Sequence, residues 1–150
     1  LTPKTASGAG IIGAAVEFNN KHVLFSKLRP YLNKVAVPDF DGIGTTELVV
    51  LKPNTEILER KFLSWYLRSP QVVEKLIISS SGTKMPRANM AEFRALQVPI
   101  PEINEQIKIV NKLEMAQAKL SMINFLRNKL LSQYNSLMPS ILDKAFKGEL

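Results

Sequence analysis

Three groups of residues have types suited to chemistry, and in each the spacing decides against it. Asp39, Glu47 and Lys52 are the residue types of a metal-dependent nuclease, in which carboxylates hold a divalent cation and a lysine helps polarise the attack. Four residues separate Glu47 from Lys52 where that pattern has one, so on a strand the two side chains fall on opposite faces. His22 is the single histidine of a chain without cysteine and lacks the partners a metal site or an activated nucleophile needs. Gly8, Gly10 and Gly13 spell a dinucleotide-binding Gly-x-Gly-x-x-Gly, but no buried strand precedes them, and Glu17-Phe18-Asn19-Asn20 breaks any helix after them. A flexible loop is the better account of that segment. The sequence therefore predicts a non-enzymatic protein with no cofactor or metal of its own.

The remaining chemistry is cationic. Lys21, Lys27, Arg29 and Lys34 fall within fourteen residues that contain no acid. A second basic segment, Thr83-Lys84-Met85-Pro86-Arg87, comes after the breaker cluster Ser79-Ser80-Ser81-Gly82 and supplies two cations, a hydroxyl and loop amides suited to phosphate contact. The formal charge of +7 divides as 13 basic against 9 acidic residues up to position 102, and 7 against 4 beyond it. Such a balance favours a polyanion as partner. Lys27, Arg29, Lys34, Thr83, Lys84 and Arg87 are the candidate DNA contacts.

The elements that must position these residues are set by periodicity and breakers. His22 to Ser26 reads as a strand, Tyr31 to Val37 as a second and Thr45 to Leu51 as a third, with Pro38-Asp39-Phe40-Asp41-Gly42 a turn. If the first strand ran on to Arg29, Lys27 and Arg29 would share a face. Glu59 to Arg68 has helical spacing and an aromatic stripe best read as core, Pro70 opens a second helix, Asn89 to Phe93 suggests a short third, and Leu96 to Ile100 a closing strand. Pro99 and Pro101 then force an extended exit, and Asn104 is a plausible N-cap for a long helix.

From Ile109 apolar residues return at alternating steps of four and three: Ile109, Leu113, Ala116, Leu120, Ile123, Leu130, Tyr134 and Leu137, with Arg127 in the series and Ile141 ending it. That spacing keeps one seam of a helix toward a single partner helix, the mark of a coiled coil. Thirty-odd residues make a rod of roughly 50 Å, longer than so small a domain can cover. Pro139 predicts a stop near Leu137, then a short helix from Ser140 to Phe146 closed by Gly148.

The fold class expected is α+β: a small mixed α/β recognition domain over 1–102, then a long coiled-coil-forming helix and a short terminal helix over 103–150. With 45% hydrophobic residues the chain can bury a core. The absence of cysteine fits a reducing cytoplasm, and neither a membrane span nor a signal segment is visible. An opening Leu1-Thr2-Pro3 suggests a processed or excised piece. A scaffold or adaptor with an incidental basic surface is the alternative.

Four motifs in order carry a resemblance: Val23-Leu24-Phe25-Ser26-Lys27-Leu28-Arg29-Pro30-Tyr31-Leu32-Asn33-Lys34; Thr45-Thr46-Glu47; Val98-Pro99-Ile100-Pro101-Glu102 with Glu105-Gln106; and Ile141 to Leu150. Over positions 17–150 the chain resembles the specificity subunit of type I restriction-modification enzymes. The resemblance implies a target recognition domain followed by a conserved helix, a pair that in the family usually occurs twice, with the helices antiparallel and the two domains reading a split site in double-stranded DNA. It also implies a DNA methyltransferase (modification) subunit that brings S-adenosylmethionine, and a restriction subunit that brings ATP-driven translocation and cleavage. A single domain and helix imply a half subunit pairing as a homodimer, or the C-terminal portion of a longer one, with an N-terminal part of the recognition domain missing.

Overall fold

A computed structural model describes residues 14–77 and 86–149. The sequence readings on Gly8 to Gly13, and on Ser79 to Lys84 with Thr83, lie outside the described residues. The chain divides into two compact units, one running to Val110 and the other from Asn111.

The first unit is built on two small antiparallel sheets. In one, β1 (Ala15–Phe18) pairs with β4 (Gly42–Thr45); in the other, β2 (Val23–Ser26) lies between β3 (Val35–Ala36) and β5 (Leu48–Leu51). The register sets Phe18 opposite Gly42 in the first sheet, and Phe25 opposite both Val49 and Val35 in the second. All four residues of β2 are buried, as expected of a central strand covered on both faces. Three helices cover this sheet: α1 (Arg60–Leu67), α2 (Pro70–Ile77) and α3 (Met90–Arg94). Phe25, Leu67, Val72, Leu76 and Phe93 meet in the core, with the Phe25 and Phe93 rings 4.7 Å apart. The helix starts are set locally. The Glu59 carboxylate accepts from Phe62 N–H, Pro70 occupies a first turn, and Asn89 Oδ1 accepts from Ala91 and Glu92 N–H.

Several strand expectations need correction. Tyr31 to Val37 is not one strand: Pro30–Leu32 forms a 3-10 turn between two left-handed residues, Arg29 (φ 53°) and Asn33 (φ 50°), leaving only Val35–Ala36 to pair. Proline favours the first position of a helical turn and asparagine tolerates the left-handed region, but arginine there costs about 1–2 kcal/mol. Thr45 to Leu51 is likewise broken, at Thr46-Glu47, where the chain turns from one sheet into the other. A Cβ at Gly44 would lie 2.5 Å from Leu48 Cδ1, so the Leu48 side chain fills the space beside Gly44. β1 adds a strand that the alternation did not reveal. Leu96 to Ile100 joins no sheet, because Pro99 and Pro101 have no N–H to donate; Leu96 and Val98 pack on the core instead.

The last helix, α4, runs Ile103–Lys147 without interruption. It begins earlier than a cap at Asn104 would require: Glu102 C=O accepts from Gln106 N–H, so Glu102 stands at the cap. The separate terminal helix is also a correction, since Pro139 lies inside α4. One proline removes a single ladder bond at about 3 kcal/mol, whereas stopping and restarting would demand a fresh, unfavourable nucleation. Gly148 closes the helix as expected: it takes φ 70° and donates to Ala145 C=O, while Glu149 N–H reaches Lys144 C=O. No helix among the described residues is long and apolar enough to cross a membrane.

Candidate nucleic-acid interface

Three stretches far apart in sequence meet just beyond the end of β2. β2 ends at Ser26 and the backbone turns left-handed at Arg29, so no regular strand runs on to Arg29. Residues 27–29 instead pair antiparallel with residues 86–88. Ala88 N–H donates to Lys27 C=O at 2.8 Å, Arg29 N–H donates to Pro86 C=O at 2.8 Å, and Leu28 and Arg87 stand opposite one another. On the other side Lys27 N–H donates to Glu47 C=O at 2.9 Å. The Lys-Leu-Arg motif is thereby clamped between the Thr45-Thr46-Glu47 motif and the segment after Thr83 and Lys84.

The side chains that converge here differ in what they can do. Arg87 grips Glu47 side-on: Nη2 donates to Oε1 at 2.7 Å and Nε to Oε2 at 3.3 Å, with the arginine side chain 66% exposed and the glutamate 32%. The hydrogen bond from Arg87 holds the Glu47 carboxyl below the usual carboxylate range, against an opposing effect of desolvation; the charges of Arg87 and then Lys27 act in the same lowering direction. Glu47 therefore stays ionised to more acidic pH than a free glutamate, and its tie to Arg87 is lost only as pH falls through that lowered value. Arg29 is half-buried, and its Nε lacks a partner among the described residues. Lys34 is exposed at the approach to β3, its C=O accepting from Ser26 N–H.

Other residue types that drew attention in the sequence have structural roles. His22 Nδ1 accepts from Asn19 N–H at 3.0 Å and closes the turn between β1 and β2. Arg68 donates to Val35 C=O, lies over the Trp65 ring at 5.6 Å, and has its pKa lowered by burial. Phe62 is buried in the core, in keeping with the reading of the aromatic stripe. Among the described residues no cluster of three or more His, Asp or Glu side chains gathers to hold a metal.

The roles of two positions escaped the sequence reading. Glu47 was legible only as part of a motif and as a failed nuclease carboxylate. Gln106, visible only as the end of the third motif, is fully buried: Nε2 donates to Ile57 C=O at 2.8 Å and Pro101 C=O at 2.7 Å, while Oε1 accepts from Glu59 N–H at 2.9 Å. It ties the first turn of α4 to the loop before α1. In the second unit the seam is uncovered: Leu120, Ile123, Leu130, Tyr134 and Leu137 are all exposed, and Leu126, Leu131 and Met138 widen the same apolar face.

A small sheet-containing domain in which cationic turns converge beyond β2, followed by a long helix with an exposed apolar seam, defines the class of this chain as α+β with a long C-terminal helix. Within that class the chain belongs to the type I restriction modification DNA specificity domain family, whose model matches residues 13–132. It is 32% identical over 141 residues to the type I restriction enzyme EcoDI specificity subunit of Escherichia coli, covering 94% of this chain and 31% of that one. It is 35% identical over 100 residues to the EcoBI specificity subunit of the same organism, covering 67% and 21%. Among solved structures it resembles the HsdS subunit from Thermoanaerobacter tengcongensis, with TM-score 0.71, 29% identity, and coverage of 85% of this chain and 34% of that one. A second structure, described for the complex assembly and conformational transition of the type I R-M system, gives TM-score 0.79 and 28% identity over 96% and 38%. The chain thus spans about a third or less of the length of the curated relatives it matches.

Proposed function

We propose that this chain is one recognition half of a type I specificity subunit, acting in the cytoplasm on double-stranded DNA. It performs no chemistry and carries no cofactor. It directs a DNA methyltransferase subunit and a restriction subunit to one half of a bipartite target. Positions 1–102 act as the recognition domain and positions 103–150 as the conserved helix that sets the distance to an equivalent domain. Where the chain stands alone, the equivalent is a second copy, giving a two-fold homodimer and inverted half-sites.

The observation that carries this reading is the antiparallel pairing of residues 27–29 with 86–88. It brings the backbone that carries Lys27 and Arg29 against the backbone that carries Arg87. Cations gathered beside backbone turns suit the phosphates of a duplex. Lys27, Arg29, Lys34, Lys84 and Arg87 are proposed as DNA contacts, with Thr83 positioning a phosphate.

The test uses duplex binding over a range of salt. Each phosphate-binding cation contributes about 0.9 to the slope of log affinity against log salt. The triple variant Lys27→Ala, Lys34→Ala, Lys84→Ala should therefore lower the slope by roughly 3 units and weaken binding to all sequences alike. Arg29 is left in place because its strained, half-buried position would mix folding effects into the result. Equal affinity of parent and variant at every salt concentration would remove these residues from the interface. A scaffold or adaptor, the reading that the uncovered seam alone favours, would bind duplex DNA in neither form.

A further inference from the structure

Arg87 is the proposed contact least suited to a phosphate, because its charge is already matched. Glu47 grips it side-on through Nε and Nη2. A phosphate brought to the same guanidinium would meet a carboxylate a few ångströms behind it, and the net charge of the pair offers little attraction. A neutral acceptor is not penalised in this way.

The stereochemistry points in the same direction. A guanidinium has five N–H donors in a rigid plane. The carboxylate takes the Nε hydrogen and one on Nη2, leaving both hydrogens of Nη1 and one of Nη2. One hydrogen of Nη1 and the remaining one of Nη2 lie along the end of the fork, the edge that meets guanine O6 and N7 in the major groove. The two backbones are also held in place, since Lys27 donates from its N–H to Glu47 C=O and accepts at its C=O from Ala88 N–H. The tip of Arg87 is exposed while Glu47 behind it is partly covered.

We infer that Arg87 reads a guanine and that Glu47 is its positioning residue, locking the guanidinium with the end of its fork turned outward. This rests on the DNA-binding reading above and deepens it. The inference predicts opposite signs for two affinities, which neither a structural ion pair nor an electrostatic decoy would produce. Glu47→Gln removes a negative charge from the interface and so should raise affinity for random duplex. It also leaves the guanidinium one acceptor oxygen in place of two, loosening its orientation, and should lower discrimination for guanine at one position of each half-site.

The experiment selects bound duplexes from a randomised pool with the full chain, then measures affinity for the selected and for random DNA. The parent should enrich a guanine at one position of each half-site. E47Q should reduce that preference about ten- to hundredfold while binding random duplex more tightly. R87Q should abolish the preference, and the E47Q/R87Q double variant should match R87Q at that position, because a positioning residue has nothing left to position. R87K, which keeps the charge and loses the planar fork, should retain affinity for random DNA without the guanine preference, and it disturbs the fold least. The inference is overturned if E47Q strengthens binding to target and random DNA equally, if it changes neither, or if R87K still enriches guanine. A parent chain that binds no duplex would overturn the DNA-binding reading itself, a result separable from all of these.

Discussion

Gln106→Leu is expected to lower the melting temperature of the chain by roughly 6–12 °C. The substitution keeps the volume of a fully buried side chain but withdraws all three of its hydrogen bonds, to Ile57 C=O, Pro101 C=O and Glu59 N–H. A buried polar group left without its partner costs about 1–3 kcal/mol, and the three groups here are not all deeply buried, so about 3 kcal/mol in total is the expected loss. That is a large share of the roughly 5–15 kcal/mol that holds a typical domain together. Gln106→Glu should be at least as damaging, since it removes both donations and buries a charge. Thermal denaturation followed by circular dichroism reads the effect directly. A Gln106→Leu variant melting within about 2 °C of the parent would show that the glutamine does not anchor α4.

The double substitution Leu120→Asp, Leu130→Asp is expected to abolish pairing of the helix. Both side chains are more than half exposed in the single chain, 61% and 65%, so the variant should leave the fold of the first unit unchanged. In a paired seam each would be buried against the facing helix. The four carboxylates that two such chains drive into that interface cost on the order of 4 kcal/mol or more, which is about a thousandfold in association. Light scattering on the eluting chain should show the parent as a dimer and the variant as a monomer with an unchanged melting temperature for the recognition domain. One inserted heptad makes the complementary test of the ruler, because it preserves the seam and lengthens the helix by about 10.5 Å, or about three base pairs of preferred spacer. A double aspartate variant that still dimerises would move the interface off this seam.

Much of this protein was determined by its sequence alone, wherever the governing physics is local. The period of 3.5 residues from Ile109 to Ile141 defines a helix and its apolar seam, because both depend only on spacing along one stretch of chain. The starts of α1, α2 and α3 are set by Glu59, Pro70 and Asn89, and the stop of α4 by Gly148, since caps and left-handed closures involve neighbours within one turn. The order of the four motifs identified the family. Tertiary structure alone decided the rest. Pro139 is absorbed into a continuous helix because the choice between a kinked ladder and a new nucleus is made by the whole helix, not by the proline. The split of Thr45 to Leu51 between two sheets depends on β1 and β2 as partners, and a strand's propensity does not name its partner. The approach of Arg87 to Glu47 and of Gln106 to Glu59 each spans at least forty residues of sequence. The first exists only once the register of β2 and β5 and the bridge from Leu28 to Arg87 have brought the chain together, and the second only once the start of α4 lies against the loop before α1.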